Sequence, residues 1–180
     1  PPAPRFRGTR HGAAWAADAN VPGPIARRPE GVFREARFRE GFARLAPLGL
    51  SFDAWLLEPQ LDDLIDLARA FPNTAIVLDH VGAPVGIGVY AGQRQARFPL
   101  WREKIRTLAQ SANLCVRLGG FGLPFPGFAA CLADPPVSSA ELAAEWRPYI
   151  ETCIEAFGPA RCMFESNFRL DAVSCSYDVL

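Results

Sequence analysis

The sequence predicts an α/β fold built on a parallel sheet, and three observations carry that reading. Short apolar runs alternate with longer segments of helical periodicity along the chain, as repeated strand–helix units do. One run, Ala75-Ile76-Val77-Leu78, is apolar at every position, which fits a strand buried on both faces of a parallel sheet. The apolar runs also end in polar or ionisable residues, and parallel α/β sheets present functional side chains at their strands' C-terminal ends.

Five strands are expected, over Arg5–His11, Leu50–Leu57, Thr74–His80, Asn113–Gly119 and Arg161–Glu165. The first is the least regular. Helices are expected between them. Phe38–Leu45 repeats apolar residues at Phe38, Phe42 and Leu45, and Leu61–Phe71 does so at Leu61, Leu64, Ile65, Leu67, Ala68 and Phe71. Phe98–Ala109 carries Phe98, Trp101, Ile105 and Leu108 on one stripe, and Glu141–Phe157 has Leu142, Trp146, Tyr149, Ile150, Cys153, Ile154 and Phe157. Pro59 stands where a helix can begin, and Phe71-Pro72-Asn73 and Gly158-Pro159 read as helix stops. The connections Gly82–Gly92 and Gly119–Ser139 are long, as functional or disordered loops are.

Composition narrows the function. Lys+Arg and Asp+Glu both number 19, so no net charge draws the chain to nucleic acid or an anionic membrane. The expected partner is a small-molecule substrate. No apolar run of about 18 residues predicts a membrane span. Five Cys with no Cys-x-x-Cys pair argue against a zinc knuckle, and the odd number favours reduced thiols and a cytoplasmic location. Cys115 and Cys162 read as small buried hydrophobes. The opening Pro1-Pro2-Ala3-Pro4 has no signal-peptide pattern, and the chain reads as a piece of a longer protein.

The strand ends supply the candidate site. They are Arg10-His11, then Trp55 with Glu58 beyond, Asp79-His80, Arg117 before Gly119-Gly120, and Glu165-Ser166-Asn167 with Asp171 following. His80 could be a metal ligand, a general base or a donor to a substrate oxygen, or a structural histidine. Strand alternation puts only one of Asp79 and His80 inward, and His80 is expected there with Asp79 as support. Arg117 lies inside an apolar strand, so it should meet a carboxylate, either of the protein or of a ligand. Glu165 and Asp171 form a candidate carboxylate pair, with a helix N-cap as the other reading of Asp171.

These residues also carry a family resemblance. Phe52-Asp53-Ala54-Trp55-Leu56, Pro59-Gln60-Leu61, Ile76-Val77-Leu78-Asp79-His80-Val81-Gly82, Val116-Arg117-Leu118-Gly119-Gly120 and Cys162-Met163-Phe164-Glu165-Ser166-Asn167-Phe168 together resemble the amidohydrolase 2 family, nearest its lactonase branch. Arg7-Gly8-Thr9-Arg10-His11 looks like that family's fourth barrel strand. The resemblance implies a TIM-like (β/α)8 barrel, here partial, with strands four to eight in residues 1–180 and neither the first three strands nor the last helix. Five strands do not close a barrel, so exposed edges and poor folding are expected. The resemblance further implies that Arg10, His80 and Arg117 bind a substrate's carboxylate and carbonyl; His11, Trp55 and Glu58 are expected to line the site from their place at or just past strand ends.

Two departures stand out. The family pattern Gly-Ser/Thr-Asp-Trp/Tyr-Pro, whose Asp activates water, is here Glu165-Ser166-Asn167-Phe168-Arg169. A carboxamide takes no proton at neutral pH, so Asn167 can only orient a water or donate a hydrogen bond. Glu58 stands where related sequences often carry a His, and no His-x-His occurs. The expected function is hydrolysis of a lactone or a related carboxylate-bearing molecule, with Asp171 or Glu165 activating water. The competing expectations are a metal-dependent amidohydrolase or decarboxylase, with zinc or manganese on His80 and ligands from elsewhere, and an inactive truncated gene product.

Overall fold

The computed structural model describes residues 5–18, 20–21, 28–131 and 133–180. The Pro1–Pro4 opening lies outside them. Five strands are found among the described residues: β1 (Gly8–Gly12), β2 (Ser51–Trp55), β3 (Ile76–Leu78), β4 (Leu114–Leu118) and β5 (Cys162–Phe164). All pair in parallel, in the order β1-β2-β3-β4-β5. Between them run α1 (Ala36–Phe42), α2 (Leu61–Ala70), α3 (Arg94–Ala109) and α4 (Ser139–Phe157). Strand order follows chain order with no reversal, which is barrel topology rather than the doubly wound arrangement.

Each strand was expected longer than it is. Ladder pairing stops where the chain turns into a loop, and polar residues such as Asp79 and Glu165 lie just past that point. Helix α3 begins one turn before the expected Phe98, running through Pro99. Proline removes one amide from the helix. The added turn is anchored instead by its arginines: Arg97 pairs with Glu58 at 2.7 and 3.0 Å, and Arg94 lies over the Phe128 ring.

The core lies on one face of the sheet. Phe52, Ala54, Ile76, Leu78, Leu114 and Val116 meet Phe42 of α1, Leu64 and Leu67 of α2, Trp101 and Ile105 of α3, and Tyr149 and Cys153 of α4. The opposite face carries Asp53, Val77, Cys115 and Arg117, which are half-buried. This corrects the expectation that the Ala75–Leu78 strand is covered on both faces. It also places Cys115 on the open face rather than in the core. Cys162 too is half-buried, and all five thiols are free.

Helix ends are secured by side chains. Ser138 and Glu141 form a capping box at the start of α4. The Asn113 amide donates to the carbonyls of Phe71 and Thr74, past the end of α2. Arg161 donates to Phe157, Ser111, Leu114 and Ala109 at 2.8–3.3 Å, tying the ends of α3 and α4 to β4. Arg161→Met removes every one of these bonds and keeps the aliphatic stem. A loss of about 2–4 kcal/mol is expected from charged donors leaving several acceptors unmet, read as a lowered urea midpoint. A midpoint within error of wild type contradicts the role given to Arg161.

The described residues of the two long loops pack on each other. Gly86 N–H donates to Phe125 at 2.9 Å, and Ala14, Val21, Leu57, Ala83, Val85 and Phe125 form a second apolar cluster above the strand ends. Among the described residues no helix is long and apolar enough to cross a membrane.

Candidate active site

Register builds the first half of the site. Arg10 of β1 is aligned with Asp53 of β2, so both project on the sheet's open face. Arg117 of β4 projects there too and donates to Asp53 at 2.7 Å. Asp79, one residue past β3, lies 3.0 Å from Arg10 Nε and 3.2 Å from Arg117 Nη1. Arg10 is also 3.8 Å from Asp53. Two guanidinium groups and two carboxylates thus alternate in a closed ring.

Asp79 is wholly buried, while the Arg10 side chain is 48% exposed. Neither Asp79 oxygen receives a well-aligned hydrogen bond, so the arginines act on it by charge. Burial pushes its carboxyl up to about 6, against the pull of Arg10, Arg117 and His80.

His80 begins a left-handed stretch. It has φ 52°, Val81 49°, Gly82 76° and Ala83 39°. Three of these four residues carry a Cβ, and Val81 is β-branched, so the turn is strained. It carries both Asp79 and His80 into the site. The alternation rule, which allowed only one of them inward, does not apply because the strand ends at Leu78. The His80 ring packs on Gly120, whose Cβ, if present, would lie 2.5 Å from the ring's Cγ and closer still to Nδ1. Nδ1 faces Glu165 Oε1. A carboxylate only accepts, so the ring nitrogen donates. Gly119 makes the same close approach to Glu165. The Gly119-Gly120 pair is the floor on which the His80–Glu165 pair rests.

Asp171 is the third part. It does not cap a helix. Its Oδ2 accepts from Gly122 N–H at 3.1 Å and its Oδ1 from the Asn167 amide at 2.7 Å. Burial pushes its carboxyl up, while the Gly122 and Asn167 bonds and the nearby His80 pull it down. It fastens the loop after β4 to the turn after β5. Asn167 takes φ 47°, which asparagine tolerates.

Three other expected site residues make contacts outside this cluster. His11 is aligned with Ala54, on the helix-facing side of β1, and packs near Phe38. Alternation along β1 separates it from its neighbour Arg10. Glu58 is buried in its pair with Arg97, and its burial outweighs Arg97 in pushing its carboxyl up. Trp55 follows Asp53 on the open face but leans on the loop cluster with Leu57 and Phe125. Asp53, by contrast, was not expected in the site. A charge inside the strand Phe52-Asp53-Ala54 was the signal, the same one that marked Arg117.

Among the described residues no three His, Cys, Asp or Glu side chains are grouped to hold a metal ion. His80 Nδ1 is already engaged by Glu165, and both Asp171 oxygens are occupied. The zinc or manganese foreseen from the sequence is therefore not fitted by these residues alone.

A parallel sheet of repeated βα units with ionisable side chains on its open face and just past its strand ends defines a barrel-type α/β protein. The amidohydrolase family matches residues 3–179, and the chain belongs to it. The chain is 34% identical over 175 residues to the y4mH protein of Sinorhizobium fredii, spanning 97% of this chain and 51% of that protein. It is 26% identical over 178 residues to an L-fucono-1,5-lactonase of Burkholderia multivorans, spanning 97% and 52%. An amidohydrolase of Burkholderia multivorans solved with bound zinc superposes with a TM-score of 0.69 at 23% identity, over 98% of this chain and 54% of that one. The chain spans about half the length of the curated relatives it matches. The likeness of fold identifies the five strands as part of a TIM-like barrel.

Proposed function

We propose that the protein takes part in hydrolysing a cyclic ester, a lactone bearing a carboxylate or several hydroxyls. The observation that carries this reading is that Asp79, paired with Arg10 and Arg117, adjoins His80, which pairs with Glu165. Ester hydrolysis needs cationic donors facing the developing oxyanion and a group to take a proton from water. The guanidinium groups are the first, and the imidazole–carboxylate pair is the second. Water oxygen adds to the acyl carbon as its proton leaves, the ring C–O bond then breaks, and the departing alkoxide takes up a proton to give a hydroxy acid. The relatedness to an L-fucono-1,5-lactonase supports the ester class. The substrate is the only partner proposed, and no step is routed through a metal.

The test is turnover of a panel of sugar 1,5-lactones, with and without a carboxylate, followed by acid release. Arg10 is the exposed guanidinium, so Arg10→Ala is expected to raise KM for the carboxylated lactones by about 10- to 100-fold, as loss of a bidentate contact does. Wild-type protein that releases no acid from any lactone above the buffer rate sinks the proposal.

A further inference from the structure

We infer that His80 Nε2 is the atom that takes the proton from the attacking water, with Glu165 as its positioning residue. This rests on the lactone reading above and assigns its base.

The carboxylates near the site are otherwise engaged. Asp171 is 1% exposed, and each of its oxygens already accepts a hydrogen bond. Asp79 is sealed between two guanidinium groups. Asn167 holds no basic lone pair at neutral pH, and its amide is spent on Asp171. Glu165 directs Oε1 at His80.

His80 is built differently. Its Nδ1 donates to Glu165, and in the neutral ring this leaves the lone pair on Nε2. The ring is held by three features: the left-handed turn His80–Ala83 that carries it, the bare Gly120 backbone against its Nδ1 edge, and Glu165 at Nδ1 itself. Three strained non-glycine residues in succession around Gly82 are a cost that a structural histidine does not require. The geometry is that of a base oriented by a third group. The proton passes from water oxygen to Nε2 as the C–O bond forms, and returns from Nε2 to the leaving alkoxide as the ring bond breaks. No other reactant is needed.

Two measurements on the full chain decide it. The first needs no substrate: nitrogen-15 spectra of the labelled imidazole. The neutral ring of His80 is expected with its proton on Nδ1, and Glu165→Ala is expected to release it to a mixture in which Nε2–H is prominent. The second is turnover. His80→Ala is expected to lose kcat by about 100- to 10,000-fold, the range for removing a general base, with KM changed less than about threefold. Free imidazole added to His80→Ala is expected to restore at least tenfold of the loss. A wild-type ring carrying its proton on Nε2 overturns the inference even if His80→Ala does not fold. So does a His80→Ala enzyme within fivefold of wild-type kcat. Absence of lactone turnover by wild type strikes the functional reading instead, and the two failures are told apart by the tautomer.

Discussion

Replacing Gly120 with alanine is expected to lower stability by about 2–5 kcal/mol and to reduce turnover at least a hundredfold. Two costs add. Gly120 has φ 77°, where an L side chain is strained. Its new methyl would also sit inside the His80 ring, and overpacking of a closed site costs about 1–3 kcal/mol. Moving the ring away would break its Nδ1 bond to Glu165, and the 80–83 turn fixes its backbone. The check is a denaturant titration with a rate measurement beside it. Gly41→Ala is a suitable control, since nothing lies within 4 Å of the Cβ position there. Equal effects at the two positions contradict the idea that Gly120 seats the histidine.

The second large effect is one of pH. The Asp79 carboxyl is raised from an ordinary 3.8 to about 6 in the fold. Between these values the folded protein holds a proton that the unfolded chain has released. Stability from this group is therefore fully present below about 4 and is lost as pH rises through about 6. A shift of about two units corresponds to about 3 kcal/mol at 1.36 kcal/mol per unit. Asp79→Asn keeps the shape and cannot titrate. Measured against wild type, the variant should gain about 3 kcal/mol of relative stability between pH 4 and pH 7. The difference between the two proteins isolates Asp79 from Glu58 and Asp171, whose carboxyls are also raised by burial. Parallel stability curves across that range refute the assignment.

Much of the fold was legible because periodicity is local. The alternation of apolar runs and helical stripes placed all five strands and four helices, with boundaries shifting where a tertiary contact intervened, as Arg97–Glu58 does at α3. The site was legible in part. Arg117 was expected to meet a carboxylate because a lone charge in a strand is expensive, and Asp53 meets it. The same argument applied to Asp53 would have found the pair from the other side. What stayed hidden was backbone conformation. Nothing local to Asp79-His80 announces that the strand ends at Leu78 or that Val81 turns left-handed. Tertiary contacts hold it there: Trp101 donates to Val81 O, Glu58 N–H to Ala83 O, and Gly120 packs against the ring. His11 and Glu58 illustrate the converse. Both lie at strand ends in sequence, yet one points to the helices and the other is closed off by an arginine ninety-seven residues into the chain.

The arginine ring has a bearing on turnover. On the lactone reading, the reaction makes an anion where there was an ester, so the product binds cations better than the substrate does. An enzyme with bare guanidinium groups would then be held by its own product. Here Asp53 and Asp79 occupy those groups in the free protein. An arriving carboxylate shares the guanidinium groups with these residents, and on that reading a departing one leaves against a resident competitor. On the lactone reading the ring would thus favour release of the product over its tight capture, with both arginines kept oriented by their carboxylates.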